Sequence, residues 1–388
     1  MNYRDSSEQA NWREQVRRFV ESNAPEEYRI RHRPAVDSYG GGDETFQAWR
    51  SRVAKQGWLA PHWPKEYGGL GLSVMEQFIM KEEFALQRTP HPGARGVEMV
   101  GPTVILHGSD AQKAELLPGI LNGEHIYSQG FSEPGAGSDL AALQLRATRD
   151  GDEYVLNGQK IWTSNATSCN WMFLLARTDP EAPKHRGISY FVTPVDVPGL
   201  EVRPMTDMAG GHELCETFFD NVRIPASYRI GEENRGWYVA MTTLDFERSG
   251  IAGAVGVQLA ILDLVSMARA ANVVSRQRTR LADLFVASEV ARQMSYHVAS
   301  LQDRGQVPNY ESSMVKLFSS ELHRRADTDA LNVLGLRGYL LRGSAGYEVD
   351  EGRVARAYSG SIPTTIAGGT SEIQRGIIAG RGLGLPRG

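Results

Sequence analysis

The chain has 388 residues, of which 41% are hydrophobic and 9% aromatic. This composition is enough for one large domain or two to three ordinary domains with cores of their own. The formal net charge of -4 at pH 7 and a pI near 6.2 argue against nucleic-acid binding, which needs a clustered basic surface.

Cysteine content and apolar patterning set the expected compartment. Cys169 and Cys215 are the only cysteines, so we expect no disulfide framework, and no zinc-ligand spacing accompanies them. The first residues are polar and acidic, unlike a signal peptide. The longest apolar run, Ile251 to Leu262, stops at Asp263 and is judged too short to cross a bilayer. The expectation is a cytoplasmic protein without membrane insertion or a metal site.

The first third of the chain is predicted to be helical. Residues 33–43 contain Pro34 and three consecutive glycines and are predicted to be a loop. Apolar side chains recur at helical spacing before and after that loop: Trp12, Val16, Phe19 and Val20, then Phe46, Trp49, Val53 and Trp58.

From about Ile126 the pattern changes to short β-branched runs separated by turns. Asp150-Gly151 and Pro198-Gly199 are turn signals. The predicted strands are Leu143 to Thr148, Tyr154 to Leu156, Trp171 to Arg177, Ile188 to Val192 and Phe218 to Ile224. They predict a β domain in the middle of the chain.

After Gly236 long helical patterns return. The apolar positions are Leu259, Leu262, Val265 and Met267, then Leu284, Ala287, Val290 and Ala291, then Met314, Leu317, Phe318 and Leu322. Three such helices in succession predict a C-terminal bundle. The pattern alone therefore gives an α, then β, then α arrangement.

Two polar segments of the β domain are candidates for ligand binding. Gln129 to Asp139 contains a Gly-Ala-Gly turn, where glycine lets the backbone approach a ligand closely. Asn157 to Asn165 adds Trp162 with hydroxyls on both sides, which suit the edge of a heteroaromatic ring. From the residues alone, a cofactor site and plain loop chemistry both remain open.

Ser-Glu-Pro-Gly-Ala-Gly-Ser-Asp, followed by Asn-Gly-Gln-Lys-x-Trp, resembles the signature of the acyl-CoA dehydrogenase family. Further matches occur in the family's order: Trp63-Pro-Lys-Glu-Tyr-Gly-Gly-Leu-Gly71, Gly108-Ser-Asp-Ala-Gln-Lys113, Leu117-Pro118, Gly123-Glu124 and Gly368-Gly-Thr-Ser-Glu-Ile-Gln-Arg375. The resemblance implies an α+β fold with a helical domain at 1–124, a barrel-like β domain at 125–233 and a four-helix bundle at 234–388.

The family resemblance also implies an activity. The expected reaction is FAD-dependent α,β-dehydrogenation of an acyl-CoA, with an electron-transfer flavoprotein as acceptor. FAD contacts are implied for Gln129, Phe131, Ser132, Gly137, Ser138, Trp162, Ser164, Thr370 and Glu372. CoA or acyl contacts are implied for Ser138, Asp245, Arg248, Gly368 and Gly369.

The base that removes the α proton is expected on a helix. Many family members carry a Glu directly before the C-terminal Gly-Thr, and Gly368 stands there instead. Isovaleryl-CoA dehydrogenase and its relatives use a Leu-Asp-x-Glu-Arg segment, which Leu244-Asp-Phe-Glu-Arg248 matches. Glu247 is then the candidate base, and a surface glutamate paired with an arginine is the alternative. The space left by the glycines predicts a bulky or branched acyl chain.

One departure leaves the assembly open. Family members usually carry an Arg-x-x-Phe-Gly segment that contacts the FAD of a neighbouring subunit, and Met267 to Asn272 offers only Arg269. Related bacterial sterol side-chain enzymes include mixed tetramers that share FAD sites. The sequence allows a homodimer or homotetramer, a hetero-tetramer in which this chain is catalytic or mainly structural, or a flavin monooxygenase on the same fold.

Overall fold

A computed structural model describes residues 4–30, 44–90, 92–245, 250–344, 346–347 and 349–386. Helices form both ends of the chain and one mixed sheet lies between them. This is the predicted α, β, α order, so the fold class is confirmed.

Among the described residues, six α-helices precede the sheet. Three of them begin with a serine and a Glu or Gln that cap each other's backbone amides, as Ser73 and Glu76 do at α4. A π-helical turn, Gly96–Val100, runs into α5. The bounds are α1 Ser7–Asn23, α2 Glu26–Ile30, α3 Glu44–Lys55, α4 Val74–Leu86, α5 Gly101–His107 and α6 Asp110–Asn122. The helix predicted around Trp12 is confirmed.

The second predicted helix is shorter than its apolar pattern. α3 stops at Lys55, and Gly57 adopts a left-handed φ of +78° just after it. Trp58 therefore lies outside the helix, although its side chain is buried with Trp49 and Val53 in the N-terminal core. The inclusion of Trp58 in the helix was wrong.

The middle region is an eight-stranded sheet in which β1 is parallel to β4. The order is β6-β7-β3-β2-β4-β5-β8, with β1 added beside β4. The strands are β1 Tyr127–Gly130, β2 Arg146–Asp150, β3 Glu153–Ser164, β4 Trp171–Arg177, β5 Ile188–Pro194, β6 Leu200–Met205, β7 Leu214–Pro225 and β8 Arg229–Ile230. The bounds predicted for β4 are confirmed.

Other strand predictions need correction. β2 begins at Arg146, not at Leu143, and β3 continues eight residues beyond Leu156 to Ser164. The second half of β3 was not predicted because its residues are polar. Its pairing with β7 also shifts register twice, which breaks the alternation of apolar side chains. β6 was missed because it is a partly exposed, polar edge strand.

The described part of the C-terminal region contains six α-helices. α8, α9 and α10 share one hydrophobic core, which includes Leu264, Leu284 and Leu322. The bounds are α7 Gly236–Asp245, α8 Ile251–Ala270, α9 Val274–Asp303, α10 Glu311–Leu334, α11 Arg353–Thr364 and α12 Ser371–Ile377. The predicted bundle is confirmed.

α8 corrects the estimate that its apolar run is too short to cross a bilayer. The helix has 20 residues and contains an 18-residue stretch with a mean hydropathy of 1.9, so by length and composition alone it qualifies as a span, among the residues described. Asp263 does not end it, because the carboxylate is held by Arg88 at 2.7 Å. Half of the helix is buried against the rest of the protein, as expected for the central helix of a bundle.

A buried ionic cluster joins the N-terminal helices to the bundle. Glu82 of α4 is fully buried and accepts hydrogen bonds from Arg13 of α1 at 2.6 Å and from Arg292 of α9 at 2.7 Å. Tyr296 also donates to Glu82. Burial raises the pKa of the Tyr296 hydroxyl, and the Glu82 carboxylate raises it further. These contacts fix α4 against the bundle, where the two enclose a large cavity.

Candidate functional site

The two polar segments singled out in the sequence lie side by side. The amide of Ile161 on β3 donates to the carbonyl of Ser132 at 3.0 Å, just after β1 ends. Phe131 is buried and packs edge-on against Phe173 and Tyr190. The strand ends thus bring Ser132 next to the segment that carries Trp162.

Trp162 is held in an unusual position. It lies where the β3–β7 pairing shifts between Lys160 and Thr163, its φ is +62°, and its residue surface is 58% exposed. A positive φ is unfavourable for a bulky residue, and such strain concentrates at functional sites. Ser164 is half-buried, and its carbonyl accepts from Arg95 at 3.4 Å. An exposed indole two residues from Ser164, on a strand bonded to the Ser132 backbone, fits a planar, polar ring such as a flavin.

A buried ion pair behind this surface was missed at the sequence level. Lys160 is fully buried and donates to the Phe131 carbonyl at 3.0 Å and to Glu133 at 2.8 Å. Glu133 also accepts from the amides of Gln144 and Leu145. Burial lowers the pKa of Lys160 to about 8, against the raising effect of Glu133. The pair ties the loop after β1 to β3 and positions Ser132.

Replacing Lys160 by methionine is expected to lower the free energy of unfolding by about 3–5 kcal/mol, because it leaves the buried Glu133 carboxylate without its counter-charge. Thermal unfolding measures this. Lys184→Met is the matched control: Lys184 pairs with Asp139 at the other end of the loop, but both side chains are more than half exposed, so at most about 1 kcal/mol is expected. Equal losses in the two variants contradict the assigned role of Lys160.

The Gly-Ala-Gly turn is open to solvent. Gly137 and Ser138 are exposed, and a Cβ added at Gly135 or Gly137 meets nothing within 4 Å. Neither glycine has the left-handed φ that requires glycine. The turn geometry therefore does not explain these glycines, and close approach of a ligand is the remaining physical reason for them.

The C-terminal candidates surround a different surface. The Thr370 side chain caps α12 by accepting from the Ile373 amide at 3.2 Å, and Glu372 is exposed in the first turn. Gly368 and Gly369 have φ values of +66° and +91°, and the Gly369 carbonyl accepts from Lys316 at 2.6 Å. Thr370 and Glu372 line a cavity of about 620 Å³ between α10 and α12.

The predicted base lies outside the described residues, as does Arg248. Glu247 falls between α7, which ends at Asp245, and Gly250, which precedes α8. Gly250 and Ile251 both line the large cavity. The start of α8, which follows Glu247 closely in the chain, therefore lies at this cavity.

This main cavity has a volume of about 1600 Å³ and lies between α4, the π-helical turn, α8, α10 and α11. Small residues line it: Gly253, Gly256 and Ala260 on α8, and Ala357 and Gly360 on α11. A Cβ added at any of the three glycines meets nothing within 4 Å, so each leaves open space. Binding sites for small molecules usually measure about 300–1,000 Å³. The main cavity has room for a larger molecule.

Family profiles cover nearly the whole chain. The N-terminal domain of acyl-CoA dehydrogenases matches residues 6–124, the middle domain residues 128–222 and the C-terminal domain residues 234–383. The chain belongs to the acyl-CoA dehydrogenase family. The family consists of FAD-dependent oxidoreductases that act on acyl-CoA, and the open surface around Trp162 fits that cofactor.

Individual relatives agree with this assignment. Acyl-CoA dehydrogenase FadE26 of Mycobacterium tuberculosis is 36% identical over 96% of this chain and 97% of that protein. Mitochondrial isovaleryl-CoA dehydrogenase of Pongo abelii is 29% identical over 96% of this chain and 88% of its own.

Solved structures extend the likeness to the fold. The Tcur3481-Tcur3483 steroid ACAD is 33% identical with a TM-score of 0.87, and it covers all of both chains. The ChsE4-ChsE5 complex from Mycobacterium tuberculosis is 32% identical with a TM-score of 0.81, again over all of both chains.

Proposed function

We propose that this acyl-CoA dehydrogenase oxidises an acyl-CoA with a bulky acyl group to the 2-enoyl-CoA. The main cavity is the observation that carries the proposal, because Gly250, three residues after Glu247 in the chain, lines it and because glycines and alanines of α8 and α11 leave space in it. The name of the similar steroid ACAD supports a large, rigid acyl group of this kind.

The residues have distinct proposed roles. Glu247 removes the α proton, because Gly368 has no side chain to do so. Asp245, Arg248 and Ser138 bind the CoA portion. The Gly368 and Gly369 segment lies beside the thioester, where a backbone amide stabilises negative charge on the carbonyl oxygen.

Trp162 is proposed to lie against the flavin ring, with the hydroxyls of Ser132 and Ser164 at its edge. Gln129, Phe131 and Gly137 complete this side, and Thr370 and Glu372 hold the distant part of FAD. When bound, FAD supplies the acceptor for the β hydride. We place the domain limits at 1–124, 125–233 and 234–388, so that both cofactor surfaces lie next to domain junctions.

Anaerobic mixing of the flavin-loaded protein with acyl-CoA tests the activity. Loss of the yellow flavin absorbance with a polycyclic acyl-CoA, and formation of the 2-enoyl product, are expected. A flavin that stays oxidised with every acyl-CoA contradicts the proposal. If kcat/KM is highest for an acyl-CoA with a medium-length straight chain, the proposed substrate class is wrong, but the proposed reaction is not.

Gly256→Leu is expected to reduce kcat/KM for a polycyclic acyl-CoA at least about tenfold, because the new side chain fills the space that the acyl group needs. Isovaleryl-CoA should be unaffected, since Gly256 lies about 9 Å along α8 from Gly250. The variant should fold, because leucine favours a helix over glycine by about 1 kcal/mol.

The control for this variant is Ser266→Leu, which changes an exposed residue of α8 outside the cavity lining. The acyl preference of the control should match the parent. If Gly256→Leu keeps the parent's preference for the polycyclic acyl-CoA, the acyl group does not lie along α8.

We further propose that the enzyme is a hetero-oligomer with a related subunit. The five residues from Arg269 to Val273, at the end of α8 and in the link to α9, read Arg-Ala-Ala-Asn-Val, so the Phe-Gly of the segment that reaches a neighbour's FAD is missing. Similar solved structures carry names with two components. An electron-transfer flavoprotein as acceptor and a cytoplasmic location, where the free buried Cys169 and Cys215 stay reduced, complete the proposal.

A further inference from the structure

Asp327 on α10 is a buried carboxylate without a hydrogen bond. Only 7% of the residue is exposed, it lines the main cavity, and its Oδ2 has no hydrogen-bond partner among the described residues. His323, one turn earlier, also lines the cavity, with its Nε2 3.4 Å from that oxygen. Buried polar groups in proteins nearly always have partners, so an unbonded one needs an explanation.

The surrounding charges are already compensated. Asp263 of α8 accepts from Arg88 at 2.7 and 3.1 Å, and Arg353 of α11 lies 3.6 Å from it. Arg353 also pairs with Asp350 at 2.5 Å. Burial raises the pKa of Asp327, against the lowering effects of His323 and Arg353. Asp327 in its ionised form accepts a hydrogen bond from a ligand hydroxyl, and its protonated form or the neighbouring His323 donates to a ligand oxygen.

The length of α8 gives the distance of Asp327 from the end of the main cavity where the thioester is proposed to react. The cavity face of α8 runs through Gly253, Gly256, Ala260 and Leu264, and the helix rises about 18 Å over the twelve steps from Ile251 to Asp263. Arg353 contacts Asp263 and acts electrostatically on Asp327, so Asp327 lies near this far end. An acyl group of rigid rings that fills the cavity therefore ends at Asp327.

We propose that Asp327, with His323 beside it, is a binding subsite for an uncharged oxygen, a hydroxyl or a keto group, at the far end of a bulky acyl chain. The inference rests on the proposed function and names the substrate class more narrowly: an oxygenated polycyclic acyl-CoA. The ligand oxygen supplies the hydrogen-bond partner that the protein does not. A fully hydrocarbon acyl group leaves the buried Oδ2 of Asp327 without a hydrogen bond.

Two synthetic polycyclic acyl-CoAs that differ only by a hydroxyl on the ring farthest from the thioester test the subsite in the flavin-loaded enzyme. The parent should prefer the hydroxylated compound by about 10- to 100-fold in kcat/KM, mainly through KM. Asp327→Leu should abolish the preference, and Asp327→Asn, which keeps hydrogen-bonding groups, should retain much of it. The acyl group of isovaleryl-CoA is too short to reach Asp327. The parent, Asp327→Leu and Asp327→Asn should therefore oxidise isovaleryl-CoA at equal rates.

Stability and a neighbouring residue provide controls. Asp327→Leu should unfold at the parent's Tm or above, because it removes a buried group without a hydrogen bond. Asp283→Asn changes an exposed carboxylate of α9 that lines neither cavity and should leave the hydroxyl preference intact. Equal turnover of both compounds by the parent, or a preference that survives Asp327→Leu, overturns the subsite alone. If no acyl-CoA reduces the flavin, the proposed function fails with it.

Discussion

Replacing Glu247 by glutamine is expected to slow flavin reduction by acyl-CoA by about 10²- to 10⁴-fold. The two side chains are nearly isosteric, so fold and flavin content should stay at the parent's level, while the amide is unable to accept the α proton. Stopped-flow absorbance under anaerobic conditions measures the rate. Substrate binding, followed by the shift of the flavin spectrum in the variant, should persist.

A second substitution provides the internal control for the base. Gly368 has open space where a Cβ would stand, so Gly368→Glu fits sterically, although its φ of +66° makes any side chain there unfavourable by about 1–2 kcal/mol. In the Glu247→Gln background, the new carboxylate should restore part of the rate if both positions face the same α carbon. A Glu247→Gln enzyme that reduces its flavin as fast as the parent removes Glu247 from the mechanism.

Flavin content is expected to depend on a second subunit. Purified alone, the chain should carry little FAD; co-purified with a relative that contains the Arg-x-x-Phe-Gly segment, it should approach full occupancy. The reason is the missing Phe-Gly after Arg269, together with the altered segment at Leu334 to Gly338. Absorbance at the flavin band relative to protein, combined with sedimentation, measures occupancy and assembly.

The choice of partner provides the control for this experiment. A relative that also lacks the segment should assemble without raising the flavin content. A homo-oligomer that is fully yellow by itself contradicts the shared site, and the adenosine half of FAD must then be held by residues of this chain. A mixed complex whose flavin persists after Glu247→Gln but no longer bleaches assigns catalysis to this subunit.

The spacing of apolar residues predicted a helix or strand correctly where all the side chains on one face, or on both faces, of that element are buried. Trp171–Arg177 was predicted with its observed bounds because nearly every residue of the strand is buried, which gives a continuous apolar run. β3 was cut short because its second half alternates poorly, and a bulge there exposes Trp162 while it buries Lys160. A lysine at zero exposure is not readable from sequence, since its burial depends on Glu133, 27 residues earlier.

The candidate site was predictable only in its contiguous pieces. Motifs located Ser132, Trp162 and Thr370, but the main cavity is made by helices far apart in the chain. Gly253 and Gly360 read in isolation as weak positions in helices. Their facing arrangement across the cavity is a property of tertiary packing, and so is the burial of Asp327.

The glycines along α8 leave space for large acyl groups but lower the stability of the helix. Each of them lowers helix stability by about 1 kcal/mol relative to alanine, and each can be filled without a clash. A lineage selected for thermal robustness alone would drift toward larger side chains at these positions. The same drift would narrow the enzyme toward compact acyl groups, so a thermostable descendant is expected to be a specialist on short chains.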